Sequence, residues 1–267
     1  MQTLISSVCN FLKEEKLSKT ALITGGAKRI GRAISLSLAE QGFDIIIHYS
    51  QSKKEAEELV LKLRDFKVNA FSIKTDLLND FEISSLVERS NKLIGKPIDL
   101  LINNASIFEN DSLINLNLES WDRHFFTNLK APVFLSKEFS KQAPDYTTDE
   151  NNETISSSNI INIIDQKVLN LNPRFFSYTL AKSSLLNFTK IAAQELAPKI
   201  RVNAIGPGPI LKAVHQTEEQ FRNQRKNTLL ERGSDVKEIS RAVSFILSSP
   251  GLTGQLITLD GGEHLNW

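Results

Sequence analysis

Tyr178 and Lys182 stand four residues apart, a spacing that puts both side chains on one face of a helix. A free tyrosine keeps its proton up to about pH 10, and a cation beside it stabilises the phenolate and lowers that value. Such a tyrosine can hand a proton to a bound substrate. The same spacing also occurs on plain exposed helices. What gives it chemical meaning is its place after the fifth predicted strand, downstream of a glycine-rich turn.

That turn is Thr24-Gly25-Gly26-Ala27-Lys28-Arg29-Ile30-Gly31. It lies where an apolar run ends and a helical pattern begins. Glycines allow a sharp turn and a close backbone approach, and a helix N-terminus offers free N–H groups to a pyrophosphate. A strand–turn–helix context of this kind reads as a dinucleotide site. Gly25, Lys28, Arg29, Ile30 and Gly31 are its candidate contacts. NAD sites place an acid at the end of the second strand for the ribose 2′-OH. Here that strand ends in His48-Tyr49-Ser50-Gln51-Ser52-Lys53-Lys54, with no carboxylate. A 2′-phosphate would meet Tyr49, Ser50, Gln51 and the cations Lys28 and Arg29. The expected cofactor is therefore NADPH, with Tyr178 passing a proton while the nicotinamide passes a hydride.

The elements that must position these groups alternate. Apolar, β-branched runs recur at 21–24, 45–49, 70–74, 100–103, 160–164, 202–205 and 256–259. Runs this apolar suit strands buried on both faces. Helical periods fall between most of them, including 125–139, 178–196 and 236–247. The alternation predicts an α/β fold: a Rossmann-type doubly wound parallel sheet of about seven strands flanked by helices. One catalytic domain is expected over 19–267, preceded by an arm over 1–18. The polar stretch 143–158 reads as an exposed loop. The charged stretch 210–232, after a Gly/Pro-rich turn, reads either as a lid or as a solvated helix pair.

Composition narrows the function classes. The chain has 267 residues and a formal net charge of +1, which argues against a nucleic-acid binder. No apolar run approaches the roughly 20 residues needed to cross a bilayer, so no membrane association is expected. The single cysteine, Cys9, forms no intrachain disulfide and fits a reducing, cytoplasmic setting. No metal site is expected.

Over 19–267 the sequence resembles the short-chain dehydrogenase/reductase family. The resemblance rests on the glycine turn, Asp76, Asn103-Asn104-Ala105-Ser106, Asn128, Tyr178 with Lys182, Pro207-Gly208 and Asp260-Gly261-Gly262, in that order. It implies that Asp76, with Leu77 beside it, contacts adenine. Asn104, Ala105, Ser106, Pro207 and Gly208 would line the cofactor. Lys182 would hold the nicotinamide ribose, and Asn128 would anchor a water in a proton relay. It further implies a homotetramer. Taken singly, Asp76 reads equally as a helix cap and Asn128 as a structural amide.

Two departures from the family narrow the substrate. Arg29 stands where the family has glycine, and Asp165 stands where it has serine, thirteen residues before Tyr178. An ionised Asp165 cannot donate to a carbonyl oxygen. It suits a substrate with N–H donors and a reducible C=N bond. Both departures resemble the pteridine reductase branch of the family, which includes dihydromonapterin reductases. In that branch the aromatic after Asn-Ala-Ser stacks the pterin, a role that falls here to Phe108. Arg29, Ser106, Phe108, Asp165 and Tyr178 are thus the expected contacts of a small, pterin-like substrate. Gln51 departs from the arginine common in the branch, and Lys212 stands where many family members have threonine.

Three functions follow: a pterin reductase, a carbonyl or 3-oxoacyl reductase with an altered site, or a catalytically silent nucleotide-binding protein. The intact Tyr178, Lys182 and Asn128 weigh against the last, and Asp165 against the second. The tail after Gly262 is expected to place Trp267 or His264 near a neighbouring subunit's active site.

Overall fold

The computed structural model describes residues 18–213 and 216–266. Most of the expected N-terminal arm, together with Trp267, lies outside the described residues.

The apolar runs form one seven-stranded parallel sheet. Its strands are β1 (Thr20–Ile23), β2 (Asp44–Tyr49), β3 (Ala70–Lys74), β4 (Leu100–Asn103) and, after a short antiparallel hairpin of β5 (Thr147–Thr148) and β6 (Thr154–Ile155), β7 (Ser158–Ile163), β8 (Ile200–Pro207) and β9 (Leu256–Leu259). Their order is β3-β2-β1-β4-β7-β8-β9. Alternate strand residues face opposite sides. Ile23, Ile45, Ile47 and Ile102 pack under α1 (Arg29–Glu40), α2 (Lys53–Arg64) and α8 (Val236–Ser248). Leu22, Ile46, Leu101 and Ile160 pack under α3 (Asp80–Ile94), α5 (Ala131–Gln142) and α6 (Phe176–Leu196). Burial on both faces is why these strands read as continuous apolar runs.

Strand order reverses between β1 and β4, and a crevice opens there at the carboxyl ends of the strands. The glycine turn follows β1 and Asn104-Ala105-Ser106 follows β4, so both motifs meet at that point.

Three details differ from the sequence expectation. The stretch 143–158 contains the β5–β6 hairpin, not only loop. The helix expected over 125–139 is interrupted: α4 (Leu118–Phe125) passes through a π turn, Phe126–Lys130, before α5. Pro132 has no N–H and cannot close the α-helical bond back to Asn128. The ladder slips instead, and the Ala131 N–H reaches the Phe126 carbonyl. Finally, the described part of 210–232 holds a single α-helix, α7 (Glu218–Lys226).

Candidate active site

The glycine turn is shaped by its own residues and by two neighbours. Gly25 has a φ of +61°, and a side chain on Gly31 would press into the Gly25 carbonyl. Thr24 Oγ1 accepts the Asn104 and Ala105 N–H groups at 2.9 and 3.0 Å. Asn104 Nδ2 donates back to the Thr24 and Gly25 carbonyls. Asn104 thereby fastens one motif to the other. Lys28, the N-cap of α1, makes no side-chain capping bond. The first amides of α1 are left without a side-chain acceptor at the cleft, an arrangement that suits a pyrophosphate.

His48 braces the turn from beneath and was missed in the sequence. Its Nδ1 accepts the Gly25 N–H at 3.1 Å, so Nε2 carries the proton and donates to the Thr75 carbonyl at 3.0 Å. Burial holds its pKa down at about 4, and the ring is neutral.

At the adenosine end, Tyr49, Ser50 and Gln51 line the cleft. Lys28 is not a free cation: its ammonium meets Glu55, in the first turn of α2, at 2.5 Å. No acid follows β2 directly, but one reaches the same corner from the helix. Asp76 lines the cleft beside Leu77, and its carboxylate also accepts the Leu78 N–H.

Arg29 has a φ of +52°, the left-handed region that explains glycine at this position in the family. Its guanidinium donates to the Leu211 and Lys212 carbonyls at 3.0 and 2.9 Å. In this structure it straps the segment after β8 to the glycine turn.

At the chemical end, the Tyr178 hydroxyl donates to Asp165 Oδ2 at 2.8 Å. Asp165 Oδ1 accepts the Lys167 N–H. Burial raises the Asp165 pKa against these bonds. Lys182 Nζ donates to the Ile163 carbonyl at 2.8 Å, and burial lowers its pKa to about 8. The expectation that Lys182 lowers the Tyr178 pKa does not hold here. Burial, then the Asp165 charge, push it well above 10, and Lys182 Nζ lies 5.8 Å from the ring centre. The phenol stays protonated and is a donor.

Phe108 stacks on Phe175 at 4.2 Å and meets Tyr178 edge-on at 4.7 Å. Asn128 is fully buried and does not line the cleft. Its amide donates to the Ile107 carbonyl and accepts the Ile107 N–H, both at 2.9 Å. It fixes the loop that carries Ser106 and Phe108. Every other predicted site residue lines one cleft of about 740 Å³.

Sequence reasoning missed two further networks. Asp111, Ser177 and His124 form a buried cluster next to Tyr178. His124 Nε2 accepts the Glu109 N–H, so its Nδ1–H points to Ser177 Oγ at 2.7 Å, and Ser177 in turn donates to Asp111. Ser177 is fully buried, and the imidazole donates to it instead of taking its proton, so it is not placed as a nucleophile. The cluster ties the loop after Phe108, α4 and the start of α6 together. Glu263 accepts from Gln166 and Gln224 at 3.0 and 2.8 Å and closes the substrate end. These links span 39 to 97 residues, and no local spacing announces them. His264 hydrogen-bonds Asp260 of its own chain at 2.6 Å, so the tail caps its own domain there.

Among the described residues, no helix is long and apolar enough to cross a membrane. None of their His, Cys, Asp and Glu side chains cluster in threes to hold a metal ion.

The short chain dehydrogenase family model matches residues 19–223. The 3-oxoacyl-[acyl-carrier-protein] reductase FabG of Staphylococcus aureus is 30% identical over 255 residues, covering 94% of this chain and all of the relative. The structure of FolM alternative dihydrofolate reductase 1 from Brucella suis, in complex with NADP, is 43% identical with a TM-score of 0.86. It matches 93% of this chain and 96% of its own. The Brucella canis counterpart, also with NADP, is 42% identical over 93% and 95% of the two chains, with a TM-score of 0.84. The chain belongs to the short-chain dehydrogenase/reductase family of oxidoreductases.

Proposed function

We propose that this chain is an NADPH-dependent reductase of a pterin-type C=N bond, converting a dihydropteridine, dihydrofolate included, to its tetrahydro form. The observation that carries the reading is the Tyr178–Asp165 hydrogen bond. A carboxylate at the position of the family's serine presents an acceptor to substrate N–H groups, not a donor to a carbonyl oxygen. The NADP-bound Brucella structures, with their dihydrofolate reductase designation, support the same reading.

The residues present suit the cofactor: the open amides at the start of α1, Lys28 and the hydroxyl and amide groups of 49–51 for phosphates, and Lys182 beside the ribose. When bound, the nicotinamide supplies a hydride to the carbon of the C=N bond. Tyr178 and Asp165 hold a proton between them and deliver it to the nitrogen, leaving a CH–NH bond. Tyr178 and Phe108, the latter backed by the stacked Phe175 ring, wall the space for the flat ring. Asn128 and the Asp111–Ser177–His124 cluster position those two side chains. The reading carries with it a cytoplasmic location and a homotetramer; sedimentation of the purified protein checks the assembly.

The deciding assay follows NADPH oxidation with dihydrobiopterin, dihydrofolate and acetoacetyl thioesters, with Tyr178→Phe as control. Turnover of the pteridines that is lost in the control is the expected result. Turnover of the thioesters alone makes the protein a 3-oxoacyl reductase like the S. aureus relative. No turnover at all leaves the silent nucleotide-binding reading.

A further inference from the structure

We propose that a groove beside the active-site cleft binds a carboxylate-bearing tail of the reduced substrate. This rests on the pterin reading and narrows it to substrates with an anionic tail.

The groove, of about 880 Å³, runs between the loop after Phe108, the loop before α6, and α7. It adjoins the cleft: Lys167, Phe175, Gln216 and Gln224 line both. A ring held against Phe108 would therefore send its substituent past Phe175, which stacks on Phe108 at 4.2 Å. Lys167 Nζ stands 5.6 Å from the centre of the Phe175 ring, at the junction of the two spaces. Arg174 lines the groove from the loop before α6.

Charge is what makes the groove selective. Among the described residues, neither Lys167 nor Arg174 forms an ion pair within 4 Å. Asp111 is the one carboxylate on the groove wall, and it is engaged by the Ser177 hydroxyl and N–H. Glu263, behind Gln224, is held by two amides. The rest of the polar wall is Ser112 and amides, among them Asn110, Asn115, Asn172 and Gln220. Lys167 feels Asp165 and Glu263 only at longer range and Arg174 has no ion pair among the described residues, so this cationic pair among amides favours an anion, and a guanidinium fork matches a carboxylate. A neutral hydroxylated tail would use the amides and leave both cations unpaired.

The test compares dihydrofolate, whose tail carries carboxylates, with dihydrobiopterin, whose tail is neutral. In Arg174→Gln and in Lys167→Gln, the ratio of the two kcat/KM values should shift against dihydrofolate by about tenfold, mainly through KM. In parallel, calorimetry measures binding of p-aminobenzoyl-glutamate, the tail alone, to the NADP-loaded wild type and both variants. Binding that weakens in the variants and at high salt is expected. A substrate ratio unchanged in both variants, or tail binding that is absent or indifferent to them, overturns the proposal. If no pteridine is turned over, the pterin reading itself has failed, and the tail measurement still decides the groove.

Discussion

The Tyr178 hydroxyl hydrogen-bonds Asp165 Oδ2 at 2.8 Å, so the proton donor of the site is held by a carboxylate in place of the hydroxyl that the family puts there. An ionised carboxylate accepts only, whereas serine both donates and accepts. Asp165→Ser should therefore lower dihydropteridine turnover by on the order of 10²-fold and open the site to simple carbonyls. Steady-state rates on both substrate classes check this. Pteridine turnover that is unchanged in the variant removes Asp165 from the chemistry.

Lys182 gives the reaction a pH limit. Burial lowers its pKa to about 8, and Asp165 opposes that shift. The ammonium form is present below about 8 and is lost as pH rises through it. If the charge is needed to hold the ribose, kcat/KM should fall on the alkaline side with a midpoint near 8. A profile that stays flat to pH 10 shows that the charge is not used.

His48 makes the fold acid-sensitive. Its pKa is about 4 in the folded chain against 6.5 when free, so the unfolded state binds the proton first. Its contribution to stability is complete above 6.5 and is lost as pH falls toward 4, by about 3 kcal/mol at most. Urea unfolding at pH 7 and pH 4.5 measures the loss. His48→Gln, which does not titrate there, should flatten the slope and also weaken NADPH binding, because the Gly25 N–H loses its acceptor. A variant with the same acid limb as wild type would place the sensitivity elsewhere.

Lys28 and Glu55 set the balance of cofactor choice. Their ion pair at 2.5 Å keeps the cation beside the adenosine end of the cleft but partly neutralised. Wild type should bind NADPH more tightly than NADH. Glu55→Gln should widen that preference severalfold and Lys28→Gln should erode it. Titration of both cofactors against the three proteins at fixed moderate salt is the check. Equal affinities in wild type would reject the assignment.

The sheet was legible because burial on both faces leaves a local signature, and Ile45–Tyr49 or Leu100–Asn103 can hardly be read as anything else. The glycine turn and the Tyr178/Lys182 pair were legible for the same reason: their function depends on spacing within one turn of chain. Partnerships across the fold were not. His48 looked like part of a strand, and only the return of Gly25 above it shows what the ring does. Glu263 follows a turn motif and resembles any tail residue until Gln166 and Gln224 are brought to it. Lys28 was legible as a cation, but not its pairing with a glutamate 27 residues on.

Arg29 combines backbone strain with a strap. A non-glycine residue in the left-handed region costs about 1 kcal/mol, and Arg29 sits there with a φ of +52°. The strain is offset by two charge-assisted bonds to the Leu211 and Lys212 carbonyls, which join the segment after β8 to the cofactor turn. Arg29→Gly should relieve the strain and lose the bonds together, so global stability should move little. Local order should not survive as well. Limited proteolysis after β8 should accelerate, and NADPH should bind more weakly for want of a cation at the turn. Arg29→Lys should recover part of the NADPH affinity, because it keeps the charge, but not the protease resistance, since one ammonium lacks the planar fork that spans two carbonyls. A glycine variant that keeps both wild-type protease resistance and wild-type NADPH affinity would show that the strap holds nothing the enzyme needs.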